Sequence, residues 1–222
     1  MLEIFQTEVG LLSNFNELIA DTESGLAAVV DPAYEVDRLL REAARRGWKI
    51  SAVLVTHTHH DHIDGVEEMV RATLAPVYVG AKEAAAARAA APSAKVVELE
   101  DGARISVGAL SIEALATPGH TVAGTSYLVE GNVMVGDTLF VGGCGRTDFP
   151  GGDPRVLWRS LQRLAALPEE TRVYPGHDYG RTPTTTIGWE KTMNPYLLCQ
   201  SEDEFVALRT GKNPPRPLRR QK

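Results

Sequence analysis

The chain has six histidines, and four of them fall within six positions in "THTHHDH", residues 56–62, with Asp61 between the last two. Neutral imidazoles crowded beside a carboxylate need a shared reason, and metal ligation supplies one. Imidazole suits Zn and Fe, and a carboxylate adds charge that anchors the ion. His57 and His59 can point to one side of an extended stretch, because alternate residues share a face. Asp61 and His62 come one turn later, at the start of a helix, where the positive end of the helix dipole disfavours imidazolium and keeps the ring a neutral ligand. His60 breaks the alternation and is expected to point away.

Three further candidates lie downstream: His120 in "PGH" (118–120), Asp137 in "GD" (136–137) and His177 in "GH" (176–177). Taken singly, each reads as an ordinary loop or turn residue. Their placement is what distinguishes them. His57 follows "AVLVT", His120 follows "IEALATPG", Asp137 follows "VMVG" and His177 follows "RVYPG", so each stands where an apolar strand ends. Loops at strand ends are where rigid scaffolds carry site residues. Gly119, Gly136 and Gly176 precede the last three, and glycine permits the sharp turn that aims a side chain inward.

The elements that must hold these residues are interleaved strands and helices, with no internal repeat. "LEIFQ", "FNELIA" and "LAAVVDP" read as strands, the last closed by a proline. Val36, Leu39, Leu40, Ala43 and Ala44 form one apolar stripe at helical spacing, stopped by Gly47. "ISAVLVT" is a continuous apolar run suited to a strand buried on both faces. Helix "GVEEMVRATL", strand "PVYVG" and the Ala-rich helix "KEAAAARAAA" follow. The middle of the chain turns to β, with "KVVELE", "ARISVG", "LSIEALAT", "TSYLVE" and "NVMVGD". "DPRVLWRSLQRLAAL" then begins a helix with Asp153 as N-cap and Pro154 at its first position. "TRVYPGHD" is a last strand ending on His177. Two β-rich halves, each with helices, predict a sheet-on-sheet core covered outside by helices.

Composition bounds the function. At 222 residues the chain fits one domain with a small appendage, and 43% hydrophobic content is ordinary for a globular protein. A net charge of −6 argues against a broad nucleic-acid footprint. The basic "RPLRRQK" at the C-terminus reads as a solvated tail. "MLEIFQTEVG" has neither the cationic start nor the apolar stretch of a signal peptide, and no run approaches the roughly 20 apolar residues of a membrane span. Two cysteines, Cys144 and Cys199, form no disulfide framework and no CxxC site. Cytoplasmic location is the expectation. Cys144 has no base paired with it by any motif and reads as packing beside the site; Cys199 reads as a small hydrophobe.

"THTHHDH" with "PGH", "GD" and "GH" resembles the metallo-β-lactamase superfamily of metal-dependent hydrolases and oxygenases, in the same order and over nearly the whole chain. The resemblance implies an α+β fold, an αββα sandwich of two mixed β-sheets flanked by helices. It further implies a single domain over residues 1–222, with a short C-terminal extension from about 183. Two metal positions carry across from it: His57, His59 and His120 for one, Asp61, His62 and His177 for the other, with Asp137 bridging. Two ions (Zn, Fe or Mn) about 3.5–4 Å apart would share a hydroxide able to attack an ester or thioester.

A second set of residues narrows the resemblance. "GGCGRTDF" (142–149), "GHDYG" (176–180), "TMNPYL" (192–197) and "EDEFV" (202–206), followed by "NPPRP", are similar to the persulfide dioxygenases, which oxidise glutathione persulfide with O₂ to glutathione and sulfite. This likeness implies one Fe(II) per chain, held by His57, His120 and Asp137. Two histidines and a carboxylate leave coordination positions open for a thiolate sulfur and O₂. His59, Asp61, His62 and His177 would then orient the ligands, or else bind a second metal. Arg146 would clamp a carboxylate of the substrate and Tyr179 would donate a phenolic hydrogen bond to it, the alternative for Arg146 being an ion pair with Asp148.

Glyoxalase II enzymes share the metal motif and a related GxGR segment. In their longer form they add a helical domain that grips glutathione, and the 45 residues after His177 are too few for one. Expected partners are glutathione persulfide or a related small thiol, and a second copy of the chain in a homodimer, with neither nucleic acid nor membrane. A dinuclear hydrolase of S-acylglutathione thioesters is the alternative. A fold stapled by a non-catalytic ion is the third reading, disfavoured because seven candidate ligands exceed what one closed structural site needs.

Overall fold

The computed structural model describes residues 1–215, so the basic tail at 216–222 lies outside the described residues. It contains two compact units, residues 1–115 and a second that begins at 116. The fold is mixed α/β, with two mixed sheets flanked by helices, as the sequence predicts.

The first unit is built on six strands in sequential order: β1 (Leu2–Val9), β2 (Asn14–Asp21), β3 (Leu26–Val30), β4 (Lys49–Leu54), β5 (Val77–Gly80) and β6 (Val96–Leu99). The first three pair antiparallel, and β3 to β6 pair parallel. The parallel part is where the sequence interposes helices, because a parallel connection needs a crossover. These are α1 (Val36–Arg45), α3 (Val66–Thr73) and α4 (Ala84–Ala90). Their apolar stripes bury Val36, Leu39 and Ala43, then Val66, Met69 and Val70, then Ala84 and Ala87, in one core with Leu18, Val29, Val53 and Val77. The short helix α2 (His60–Ile63) carries the end of the histidine cluster. β7 (Arg104–Val107) and β8 (Leu110–Ala116) form an antiparallel hairpin.

In the second unit β9 (Thr125–Val129), β10 (Asn132–Gly136), β13 (Arg172–Pro175) and β14 (Thr185–Thr186) lie side by side, with β10 and β13 parallel and the other two pairs antiparallel. A small hairpin, β11 (Leu139–Phe140) and β12 (Gly143–Cys144), leads away from β10. Helix α5 (Pro154–Ala165) starts where expected, with the Asp153 carboxylate accepting from the main-chain N–H of Arg155 and Val156. Leu157, Leu161 and Leu164 of α5 are fully buried with Val133, Val135, Ile187 and Phe205. Each such leucine contributes about 1.5–3 kcal/mol relative to exposure. Two helices that hydrophobic spacing did not predict, α6 (Ile187–Met193) and α7 (Glu202–Thr210), complete the unit. Both are capped at the N-terminus by a hydroxyl, Thr186 and Ser201.

Candidate metal centre

In the first unit the chain leaves β4 at Leu54 and runs extended through His57 and His59 before turning into α2. His57, Asp61 and His62 are buried. The His57 ring lies 4.8 Å from that of His59 and 4.0 Å from that of His62. His60 turns outward, its side chain 75% exposed, as the broken alternation predicted.

What holds these rings was not legible in the motif. Asp31, just past the end of β3, accepts the Thr56 main-chain N–H on Oδ1 (2.7 Å) and the Thr56 hydroxyl on Oδ2 (2.6 Å). The same Oδ2 lies 2.9 Å from His62 Nδ1, while Thr56 Oγ1 lies 3.0 Å from His57 Nδ1. The only consistent assignment has Thr56 giving its proton to the carboxylate and accepting one from His57. Both imidazoles are then protonated on Nδ1 and present the Nε2 lone pair. A ligating histidine is ordinarily fixed this way, its other N–H donated to an acceptor of the protein. Asp31, His57 and His62 bring ligand atoms within 4.8 Å of one another, but Asp31 is already used by three hydrogen bonds, so this trio orients ligands rather than enclosing an ion. Asn14 Nδ2 donates to both the main-chain oxygen (2.9 Å) and Oδ2 (3.1 Å) of Asp61. Glu83 Oε2 accepts from the N–H (2.6 Å) and hydroxyl (2.8 Å) of Thr58, fixing the residue between His57 and His59.

In the second unit His120, Asp137 and His177 converge. Asp137 Oδ2 lies 3.6 Å from His120 Nε2 and 3.4 Å from His177 Nε2. These separations are long for hydrogen bonds. They suit a shared ion: donors each about 2.0–2.1 Å from a tetrahedral metal are about 3.4 Å apart. In the first unit Asp61 Oδ2 and His62 Nε2 are spaced alike, at 3.7 Å. His120 is seated by the Arg146 carbonyl, 2.7 Å from its Nδ1, which again leaves Nε2 for a metal. The donor sets of both units therefore fit metal ligation.

The "PGH" loop has this form because α5 forces it. Gly119 has φ of 124°, and a Cβ there would lie 2.2 Å from the Leu157 nitrogen. The loop is tied to α5 by Ser160 Oγ donating to the Pro118 oxygen (2.6 Å) and Asp153 N donating to Gly119 (2.8 Å). Gly136 also takes a left-handed φ, where the register of β10 on β13 shifts and turns Asp137 off the strand; Gly176 does not. A Cβ on Gly145 would lie 1.9 Å from the Asp137 oxygen and 3.1 Å from His120 Cβ, so the segment after β12 passes directly over both residues.

Arg146 is exposed, and its guanidinium fork is engaged by Asp148, at 2.9 Å and 2.7 Å, while lying over the Phe149 ring. The pairing holds the Asp148 carboxyl down near about 2. Tyr179 is half-buried and stacks on His177, ring planes 6° apart. Cys144 is buried, and burial pushes its thiol up to about 12; Cys199 is raised for the same reason.

The family model for the metallo-beta-lactamase superfamily matches residues 18–177. The chain belongs to this superfamily. Among solved structures, ETHE1 from Myxococcus xanthus is similar at 38% identity and a TM-score of 0.87, covering 97% of this chain and 93% of that one. A hydroxyacylglutathione hydrolase of Maricaulis maris is 41% identical, covering 90% of this chain and 88% of its own length. A beta-lactamase hydrolase-like protein of Agrobacterium fabrum is 32% identical over 90% of this chain, which spans only 54% of that relative. Among the described residues of this superfamily member, no helix is long and apolar enough to cross a membrane.

One buried acid near the histidines has a measurable consequence. Glu17 on β2 is 3% exposed, and burial, reinforced by Asp31, pushes its carboxyl up to about 8 against the pull of the Gln6 hydrogen bond and of His62. A raised carboxyl favours the neutral form, so its contribution is complete below the unfolded pKa of about 4.3 and is lost as pH rises through 8. In protein stripped of metal, Glu17→Gln is expected to match wild type in Tm near pH 4 and exceed it by roughly 5 °C or more at pH 9. A Tm difference that does not change with pH would show that the Glu17 carboxyl titrates alike in the folded and unfolded states.

Proposed function

We propose that the chain is an iron-dependent persulfide dioxygenase, a single metallo-β-lactamase-fold domain with a C-terminal extension from about residue 183. The reaction consumes glutathione persulfide, O₂ and water and yields glutathione and sulfite. One observation carries this reading. The segments similar to persulfide dioxygenases, far apart in sequence, form one assembly in the second unit. Asn194 of "TMNPYL" donates to the Gly143 oxygen of "GGCGRTDF" at 2.9 Å, and Arg209 at the end of α7 donates to the Gly145 oxygen at 2.9 Å. Tyr179 of "GHDYG" packs against Phe140 beside the same hairpin, ring centroids 5.3 Å apart.

In this reading His57, His120 and Asp137 hold one Fe(II), which supplies open positions for a thiolate sulfur and for O₂. His59, Asp61, His62 and His177 fix the ligands and the charge around them. Arg146 receives a substrate carboxylate by exchanging Asp148 for it; both partners are more than half exposed, so the internal pair is weak competition. Tyr179 donates its hydroxyl to the same substrate. The chain acts in the cytoplasm on a small thiol, as a homodimer.

The alternative is a dinuclear thioesterase acting on S-acylglutathione. It is favoured by the hydroxyacylglutathione hydrolase likeness over most of both chains and by the presence of all seven ligand candidates. Metal content of anaerobically purified protein, paired with O₂ uptake on adding glutathione persulfide, separates the two. Close to one iron per chain with rapid uptake is the expected result. Two metals, no uptake and hydrolysis of S-lactoylglutathione would replace it with the thioesterase.

A further inference from the structure

The hairpin β11–β12 has two-residue strands joined by Val141 and Gly142, and Gly143 and Gly145 follow. Such a hairpin is too short to be stable alone, and glycines offer no side chain by which to anchor it. Its order has to be imposed from elsewhere. The residues that impose it come from α6 and the turn after it. Glu190 and Asn194 are both fully buried. Glu190 Oε2 accepts the Gly142 main-chain N–H at 3.0 Å and Asn194 Nδ2 at 2.7 Å. Asn194 Nδ2 also donates to the Gly143 oxygen at 2.9 Å, while its Oδ1 accepts the Tyr196 N–H at 3.0 Å.

The hairpin they hold has two outputs. On one side Phe140 lies edge-on to His177 and Tyr179, with centroids 6.0 Å and 5.3 Å away. On the other, the chain continues to Arg146, whose carbonyl seats His120 at 2.7 Å and whose side chain faces solvent beside Phe149. A carboxyl taken out of water is costly, and burial pushes Glu190 up to about 7. A fold that only needed to fill this space would place an apolar side chain there.

We infer that Glu190 and Asn194 are positioning residues, which set the backbone of Leu139–Phe149 and thereby the placement of the substrate clamp Arg146. The assignment of Arg146 to substrate rests on the function proposed above; the anchoring of the segment does not. The test compares Glu190→Ala, Glu190→Gln and Asn194→Asp in metal-loaded protein. In each, amide hydrogen exchange over 139–149 and the rate of tryptic cleavage after Arg146 are measured alongside KM and kcat for glutathione persulfide.

Glu190→Ala is expected to speed exchange and cleavage about tenfold or more, to raise KM about tenfold, and to lower kcat as well, because the same segment seats His120 through the Arg146 carbonyl. Glu190→Gln should restore all of these, because one carboxamide oxygen can accept the two bonds that Oε2 accepts now. Asn194→Asp, which loses the donor to Gly143 in an equal volume, should resemble Glu190→Ala and stands in for it if that variant fails to fold. Unchanged exchange over 139–149 in both variants would overturn the anchoring, and a loosened segment with unchanged KM would overturn its link to substrate. A wild-type protein inactive on the persulfide would instead overturn the proposed function, and exchange and cleavage would still decide the anchoring.

Discussion

Replacing Asp137 by alanine is expected to give a folded protein that retains no tightly bound metal and shows only background turnover. The carboxylate sits at the end of β10, where the register shift against β13 swings it off the strand, with His120 and His177 nitrogens 3.6 Å and 3.4 Å from one oxygen. Changes to residues that merely hold a ligand cost about 10–100-fold in metal affinity or activity, so removing the anionic member of the proposed ligand set should cost more than that. The measurement is metal content after dialysis, together with Tm with and without added Fe(II). Wild type should gain stability from the metal, because an ion that binds only the folded state shifts the equilibrium towards it. The variant should gain none. Full turnover in the variant would refute the whole ligand assignment.

The second large effect is expected at Asp31, a residue no metal motif includes. Asp31→Asn keeps the volume of the side chain, and asparagine tolerates the left-handed backbone found there, with φ of 45°. It nevertheless replaces an acceptor that takes three hydrogen bonds with a group that must donate from one end. Its NH₂ must face a donor, either the Thr56 main-chain N–H or the Thr56 hydroxyl and His62 Nδ1–H, so at least one of the three bonds that fix the histidine loop is lost. A loss of about 10–100-fold in metal affinity follows, read by competition with a chromophoric chelator. Unaltered affinity would mean that the rings are oriented by packing alone.

These two residues also mark how far the sequence can be read. Asp137 was visible because the ligand types recur at strand ends in a fixed order, and strands and helices with strong periodicity, such as α1 and α5, could be placed from spacing alone. Asp31 was not visible. It acts through Thr56, which is 25 residues away in the chain, and a lone acid before a proline looks like a turn. The one signal was its position after "LAAVV", where a carboxylate at the end of a wholly buried strand needs partners. Asn14 and Glu83 escaped for the same reason, their hydrogen bonds to Asp61 and Thr58 spanning 47 and 25 residues. Helices α6 and α7 escaped because few of their residues are buried: Ile187 and Glu190 in one, Phe205 in the other. An apolar stripe that narrow leaves no periodic trace. Arg146 was read as a clamp with an ion pair to Asp148 as the alternative, and the structure contains that pair, exposed to solvent.

On the function proposed above, the chain would work beside sulfane sulfur that thiolates attack, and its own thiols would have to survive that exposure. Cys144 is followed by Gly145, which passes over the ligand candidates His120 and Asp137, yet burial pushes its thiol up to about 12, so almost none of it is ionised at pH 7. Cys199 is buried in the same apolar cluster and is raised likewise. Since the thiolate is the form that exchanges sulfur, neither residue offers itself as a competing acceptor. Burial here acts as chemical insulation for both thiols.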